Sequence, residues 1–218
     1  MHVVIINGSP RTKDLSNTEK IVTSLIKGMK EEAPDLTFER YCISNRKEWE
    51  AVSKAFREND NILIALPLYF ECIPGLLLEF LSTLEKKTPE TRITYLLQSG
   101  FAEASQLRCG ESYLEKVTAL LGCEYGGTLI QGDNFSLRFM GEKQTEKKYA
   151  GYASMGRVYA KDRNFFSDEA KAFAGPEYFN FGTRLMVGTL FKVFGRKMFG
   201  GVAKSWGCTK SLTYRPYN

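Results

Sequence analysis

The sequence predicts a doubly wound α/β fold with a five-stranded parallel sheet, followed by a helical extension. Three observations carry this. Short apolar runs alternate with longer stretches of helical periodicity as far as Gln131. Most of these runs are continuous, as in strands buried on both faces. After Gln131 the alternation stops and the chain reads as loop and helix. Five strands separated by helices imply right-handed crossovers covering both faces of the sheet.

The first strand, residues 3–6, is wholly apolar. A helix follows over 18–32, with Ile21, Val22, Leu25, Ile26 and Met29 at helical spacing. Ala33-Pro34-Asp35 ends it. Residues 36–43 alternate as a strand, and 47–58 read as a helix. Residues 61–66 form another apolar strand, 74–86 a helix, 92–98 a strand, 104–121 a helix and 125–131 the fifth strand. Residues 133–176 read as a loop and one or two helices. From Phe179 the pattern is an amphipathic helix. Val187, Leu190, Phe191, Phe194 and Met198 share one face, with Arg184, Lys192 and Arg196 off it. Gly200-Gly201 is expected to break it. On this reading residues 1–132 are the ligand-bearing domain. Residues 133–218 are a helical, basic C-terminal extension packed on that domain or on a partner subunit.

Composition narrows the class. Apolar content of 43% and charged content of 25% suit a globular domain. The chain opens directly on a core strand, without the pattern of a signal peptide, and no apolar run is long enough to span a bilayer. A cytoplasmic location is therefore expected. The five cysteines are scattered, with no C-x-x-C pair, and read as buried reduced thiols. With His2 the only histidine, no metal site is expected. Charge is uneven. Residues 1–132 hold 15 Lys/Arg and 18 Asp/Glu (15 − 18 = −3), and residues 133–218 hold 15 and 7 (15 − 7 = +8).

In doubly wound sheets a ligand binds beyond the carboxyl ends of the strands, where the strand order switches. After the first strand comes Asn7-Gly8-Ser9-Pro10-Arg11, then Ser16-Asn17-Thr18 opening a helix. This loop is hydroxyl-rich and ends at a helix N-terminus, which suits a phosphate. Asp14 lies inside it, and its carboxylate must turn outward for an anion to bind. Ser16 and Glu19 also have capping-box spacing. After the third strand comes a Pro-stiffened aromatic loop, residues 67–75, suited to a flat ring. After the fourth comes Ser99-Gly100-Phe101, where a ligand can approach the backbone closely. Cys72, in the aromatic loop, reads first as a small hydrophobe and second as a redox thiol.

At these residues the chain resembles the NAD(P)H-dependent FMN reductases of the flavodoxin-like superfamily. It looks closest to the branch holding the iron–sulfur flavoproteins and multimeric-flavodoxin-type quinone reductases, without their cysteine cluster. The resemblance covers roughly residues 1–132 and implies sheet order 2-1-3-4-5 and non-covalent FMN. Ser9, Arg11, Ser16, Asn17 and Thr18 would hold the phosphate. Pro67, Leu68, Tyr69 and Phe70 would line the ring, and Ser99, Gly100 and Phe101 would close the other side. Aromatics from residues 133–180, or a partner subunit, would complete the open face.

The implied function is hydride transfer from NAD(P)H through FMN to a small acceptor, such as a quinone, a nitro compound or an azo compound. The flavin carries the chemistry, so no catalytic side chain is named. Two alternatives are a one-electron carrier and a flavin-free binding or scaffold protein using its basic tail. A homo-oligomer, a dimer or larger, is expected. The C-terminal helix has readings as a docked or dimerising element and as a peripheral membrane contact. No nucleic-acid-binding module is recognisable.

Overall fold

A computed structural model describes residues 1–138, 140–215 and 217. Its contacts divide the chain into two units, Met1–Glu177 and Tyr178–Asn218.

The first unit is built on five parallel strands: β1 (His2–Asn7), β2 (Thr37–Cys42), β3 (Asn61–Pro67), β4 (Arg92–Gln98) and β5 (Glu124–Gln131). Their order is β2-β1-β3-β4-β5, as the resemblance implied. The helices are α1 (Asn17–Glu32), α2 (Trp49–Glu58), α3 (Gly75–Leu81), α4 (Ser105–Leu120), α5 (Glu142–Asp162) and α6 (Asp168–Phe173). Side chains alternate across the strands and make two cores. Val4, Ile6, Ile62, Ile64 and Leu97 face α2, α3 and α4. Val3, Ile5, Leu63, Ala65 and Leu96 face α1 and α5.

Helices α1 and α5 meet almost backbone to backbone. A Cβ at Gly28 would lie 1.7 Å from the Ala153 carbonyl oxygen, and one at Gly156 would lie 2.0 Å from that of Leu25. At the other edge of the sheet β5 carries an extra residue opposite Ile93 and Tyr95. Gly127 sits in that bulge at φ +85°, a conformation that side chains disfavour.

Several expectations are corrected. The helix expected over 74–86 ends at Leu81. There the Ser82 and Thr83 hydroxyls donate to the carbonyls of Glu79 and Phe80, both at 2.7 Å, and compete with helix continuation. The helix expected from residue 47 opens with a 3-10 turn, Arg46–Glu48, and only then becomes α2. None of the cysteines is fully buried: Cys72, Cys109 and Cys208 are exposed, and Cys42 and Cys123 are half-buried, all as free thiols. Cys72 is exposed because it closes a hairpin turn that projects from the end of β3.

The second unit is dominated by one helix, α7 (Phe181–Ser205), with the Asn180 side chain accepting from the Thr183 N–H at 2.9 Å. It runs straight through Gly200-Gly201, where a break was expected. A glycine costs a helix roughly 1 kcal/mol, which weakens it without ending it. The helix is also not one-sided. Phe181, Leu185, Met186, Val193 and Phe199 lie off the expected stripe and are exposed, and only Gly195 is buried. Among the described residues no helix is long and apolar enough to cross a membrane.

Candidate functional site

Four loops leave the carboxyl ends of β1, β3, β4 and β5, and hydrogen bonds tie them together. The first begins at Asn7, buried at the end of β1. Its Oδ1 accepts from the Ser9 N–H at 3.0 Å, and its Nδ2 donates to Glu19 Oε2 at 2.7 Å. That local turn is what an Asn at a strand end favours. The Gly8 N–H donates to the Ala65 carbonyl at 2.7 Å, holding the loop against β3. A 3-10 turn without buried residues, Lys13–Leu15, leads to Ser16. Asp14 in that turn is exposed.

Ser16 does cap α1: its Oγ accepts from the Glu19 N–H at 3.3 Å. The reciprocal half of a capping box is replaced by something else. The Glu19 carboxylate, almost fully buried, reaches Asn7, Arg40 at 2.9 Å and Lys13 at 3.8 Å. It thereby fastens β1, β2 and the start of α1 to one another. Its charge and the loss of water push the neighbouring Cys42 thiol up to about 11, with burial the larger cause.

Of the five expected phosphate residues, Arg11 is exposed, Asn17 is half-buried, and Ser9, Ser16 and Thr18 are buried. Each buried hydroxyl already accepts a bond. Ser9 Oγ accepts from the Arg11 N–H at 3.2 Å, Ser16 Oγ from Glu19, and Thr18 Oγ1 from Gln98 Nε2 at 3.3 Å. In each, the hydroxyl hydrogen is left to donate. The first-turn N–H groups of Asn17 and Thr18 have no acceptor within α1. This donor set, with the exposed Arg11 on the same loop, fits a phosphate, which only accepts.

The second loop separates into two parts. Pro67 ends β3 and Leu68 is buried, its N–H donating to the Gln98 carbonyl at 2.7 Å. Tyr69 and Cys72 then pair across a two-residue turn, in which Phe70 and Glu71 both have positive φ, 46° and 66°. The turn holds Phe70 out, 89% exposed, with Tyr69 also exposed. The third loop starts at buried Ser99, whose Oγ donates to the Phe101 carbonyl at 3.1 Å; Gly100 and Phe101 are exposed.

The fourth loop follows β5. The Asn134 N–H donates to the Ser99 carbonyl at 2.9 Å, and the Asn134 carbonyl accepts from Asn17 Nδ2 at 3.3 Å. Asn134 thus joins the first and third loops. Phe135 lies against Gly100, where a Cβ would come within 3.1 Å of it. On α5 the Lys148 ammonium donates to the carbonyls of Gly132, at 3.3 Å, and Asp133, at 2.5 Å. Burial pushes the pKa of this lysine down. The sequence motifs single out neither Asn134 nor Lys148. The Gly-Asp-Asn run after the last strand is the signal that points to the first. Phe135 falls in the 133–180 stretch expected to supply aromatics.

The exposed aromatics Tyr69, Phe70, Phe101 and Phe135 therefore share one end of the sheet with the donor-rich start of α1. A separate cleft runs between β5 and α6, lined by Arg108, Glu111, Tyr125, Phe165 and Phe166 among others. Its charges are already paired, Arg108 with Glu111 and Glu177, and none of the expected site residues borders it. Among the described residues no group of three His, Cys, Asp or Glu is placed to hold a metal.

Residues 1–123 match the family model of NADPH-dependent FMN reductase. No curated protein matches the chain. Among solved structures, the chain is similar to an FMN-dependent NADH-azoreductase from Bacillus anthracis in complex with FMN (12% identity, TM-score 0.54, covering 73% of this chain and 100% of that one). It is also similar to an NADH:FMN oxidoreductase in its apo form (17%, 0.55, 80% and 96%). An oxidoreductase from Corynebacterium diphtheriae is a third (15%, 0.53, 74% and 97%). At these identities the likeness is one of fold.

Proposed function

Because the chain belongs to the NADPH-dependent FMN reductase family, we propose that its strand-end loops hold FMN and that its acceptor is a small electrophile such as a quinone, a nitro compound or an azo compound. The family makes it an FMN-dependent oxidoreductase with NAD(P)H as co-substrate. Bound flavin supplies two-electron hydride chemistry that no side chain has.

The observation that carries the reading is the start of α1. Ser9, Ser16 and Thr18 each accept one bond at the hydroxyl oxygen and have an O–H that can donate to the phosphate. Asn17 and Thr18 add first-turn N–H groups, and Arg11 adds a guanidinium for the phosphate oxygens. The exposed Lys13–Leu15 turn is the part of the loop that yields to admit the phosphate, since it contributes nothing to the core. Tyr69 and Phe70 line one side of the ring, with Pro67 and Leu68 as their rigid base. Ser99, Gly100 and Phe101 close the other side, helped by Phe135. No general acid or base is assigned.

In this proposal residues 1–132 are the FMN-binding domain, and residues 133–218 are its basic helical extension. The protein works in the cytoplasm as a homo-oligomer, a dimer or larger, with peripheral membrane contact through the C-terminal helix.

The full-length protein is purified, its visible spectrum recorded, and NADPH or NADH added without oxygen. The reading expects oxidised-flavin bands, bleaching by a nicotinamide, and return of colour with a quinone or azo dye. Flavin that neither nicotinamide bleaches would mark a one-electron carrier. Failure to bind FMN even on reconstitution would mark a flavin-free binding protein.

A further inference from the structure

We propose that the Tyr178–Asn218 unit seats on an anionic phospholipid surface, with α7 lying along the plane of the bilayer. This rests on the peripheral membrane contact proposed above and names its lipid. Beyond Glu177 the chain has seven Lys/Arg and no Asp/Glu, so no acidic side chain neutralises the segment from within. The same helix exposes large apolar side chains around its circumference: Phe181 at 81%, Leu185, Met186, Val193 and Phe194. A soluble surface rarely shows so continuous an apolar element without a partner.

The two features select among coverings. A second copy of the helix would cover a single stripe and bring two wholly cationic segments together. In the plane of a bilayer the acyl region takes up the face of Leu190, Phe191, Phe194 and Met198, while anionic headgroups meet the cations and no like charges are brought together. A crossing helix is excluded by charge placement, because Lys192, Arg196 and Lys197 sit in the middle of α7. Lying in the plane, those side chains extend their apolar stems and keep their charged ends at the headgroups. Tyr178 precedes the helix, and Trp206, Tyr214 and Tyr217 follow it, all exposed. Aromatics with a polar tip are the side chains that favour headgroup depth.

The test uses full-length protein with vesicles of phosphatidylcholine alone or mixed with phosphatidylglycerol. Binding is read by co-sedimentation, and by Trp206 emission in a Trp49→Phe background. Co-sedimentation of the unsubstituted protein needs no variant to fold. The expected result is sedimentation with phosphatidylglycerol vesicles, release by salt, and a blue shift of Trp206 on binding. Replacing Lys192, Arg196 and Lys197 with Gln should weaken partitioning about 100-fold, or about fivefold per cation, with circular dichroism unchanged. Equal binding to both vesicles would overturn the anionic-lipid assignment and leave peripheral contact standing. Binding to neither would overturn both. Trp206 emission already blue-shifted without lipid, in an oligomer that Leu190→Gln with Phe194→Gln dissociates, would give the helix to a second copy and overturn the proposal.

Discussion

The two units handle apolar surface in opposite ways. In Met1–Glu177 the apolar side chains are largely paired across two cores, and the exposed aromatics concentrate where the strands end. In Tyr178–Asn218 they stand exposed along one helix, and only Gly195 within it is buried. Charge follows the same division: 23 Lys/Arg against 25 Asp/Glu in the first unit (30 − 7 = 23), and seven against none in the second. The first unit is thus specified by its own packing and by paired charges. The second carries the composition of a surface that something else completes.

The largest effect that sharpens this contrast is expected at the contact of α1 and α5. Gly28→Ala places a methyl carbon 1.7 Å from the Ala153 carbonyl oxygen and should cost about 3 kcal/mol in urea unfolding. The equivalent change in the second unit, Gly188→Ala, meets open space. It should leave the main unfolding transition in place and raise local helix stability by about 1 kcal/mol, read by hydrogen exchange. Equal effects at the two sites would erase the distinction between the units.

A smaller effect is expected at Glu19. Removing its carboxylate with Glu19→Ala leaves Arg40 only its bonds to the residue-19 carbonyl and Thr23 Oγ1 and frees Asn7, and should cost about 2 kcal/mol. FMN affinity should fall as well, because Asn7 holds the Ser9 N–H. A variant that loses stability and keeps its FMN affinity would separate the buried pair from the phosphate loop.

The smallest effect is in pH. The Cys42 thiol is held up to about 11, against an ordinary value of 9.0, mainly by burial. Its folded pKa lies above its unfolded one, so folding gains from the neutral thiol. That gain is complete below about pH 9 and is lost as pH rises toward about 11. Denaturation midpoints should decline over that window, and less so in Cys42→Ser. Thiol labelling of the native protein near neutral pH should modify the exposed Cys72, Cys109 and Cys208 before Cys42.

Much of the first unit is legible from local pattern. Runs such as those of β1 and β3 are buried on both faces and read as strands without tertiary information. The end of α3 is less legible, because Ser82 and Thr83 stop it through side-chain bonds that compete weakly with propensity. In α7 the glycine pair misleads, since a helix tolerates glycine at modest cost, and one apolar stripe hides the apolar residues on the other faces. At the candidate site the loops after β1, β3 and β4 announce themselves by composition. Asn134, Gln98 and Lys148 do not, because their contribution lies in which loop each one reaches. The burial of Ser9, Ser16 and Thr18 is likewise set by tertiary packing.

The central claim is that the donor-rich start of α1 is the phosphate end of a flavin mononucleotide site. Calorimetric titration of the flavin-stripped full chain with FMN and with riboflavin tests it most directly, because the two ligands differ only by the phosphate. The account predicts saturable FMN binding and riboflavin binding at least about 100-fold weaker, the weight of one or two charge-assisted hydrogen bonds. Equal affinity for the two ligands, or binding of neither, would contradict it.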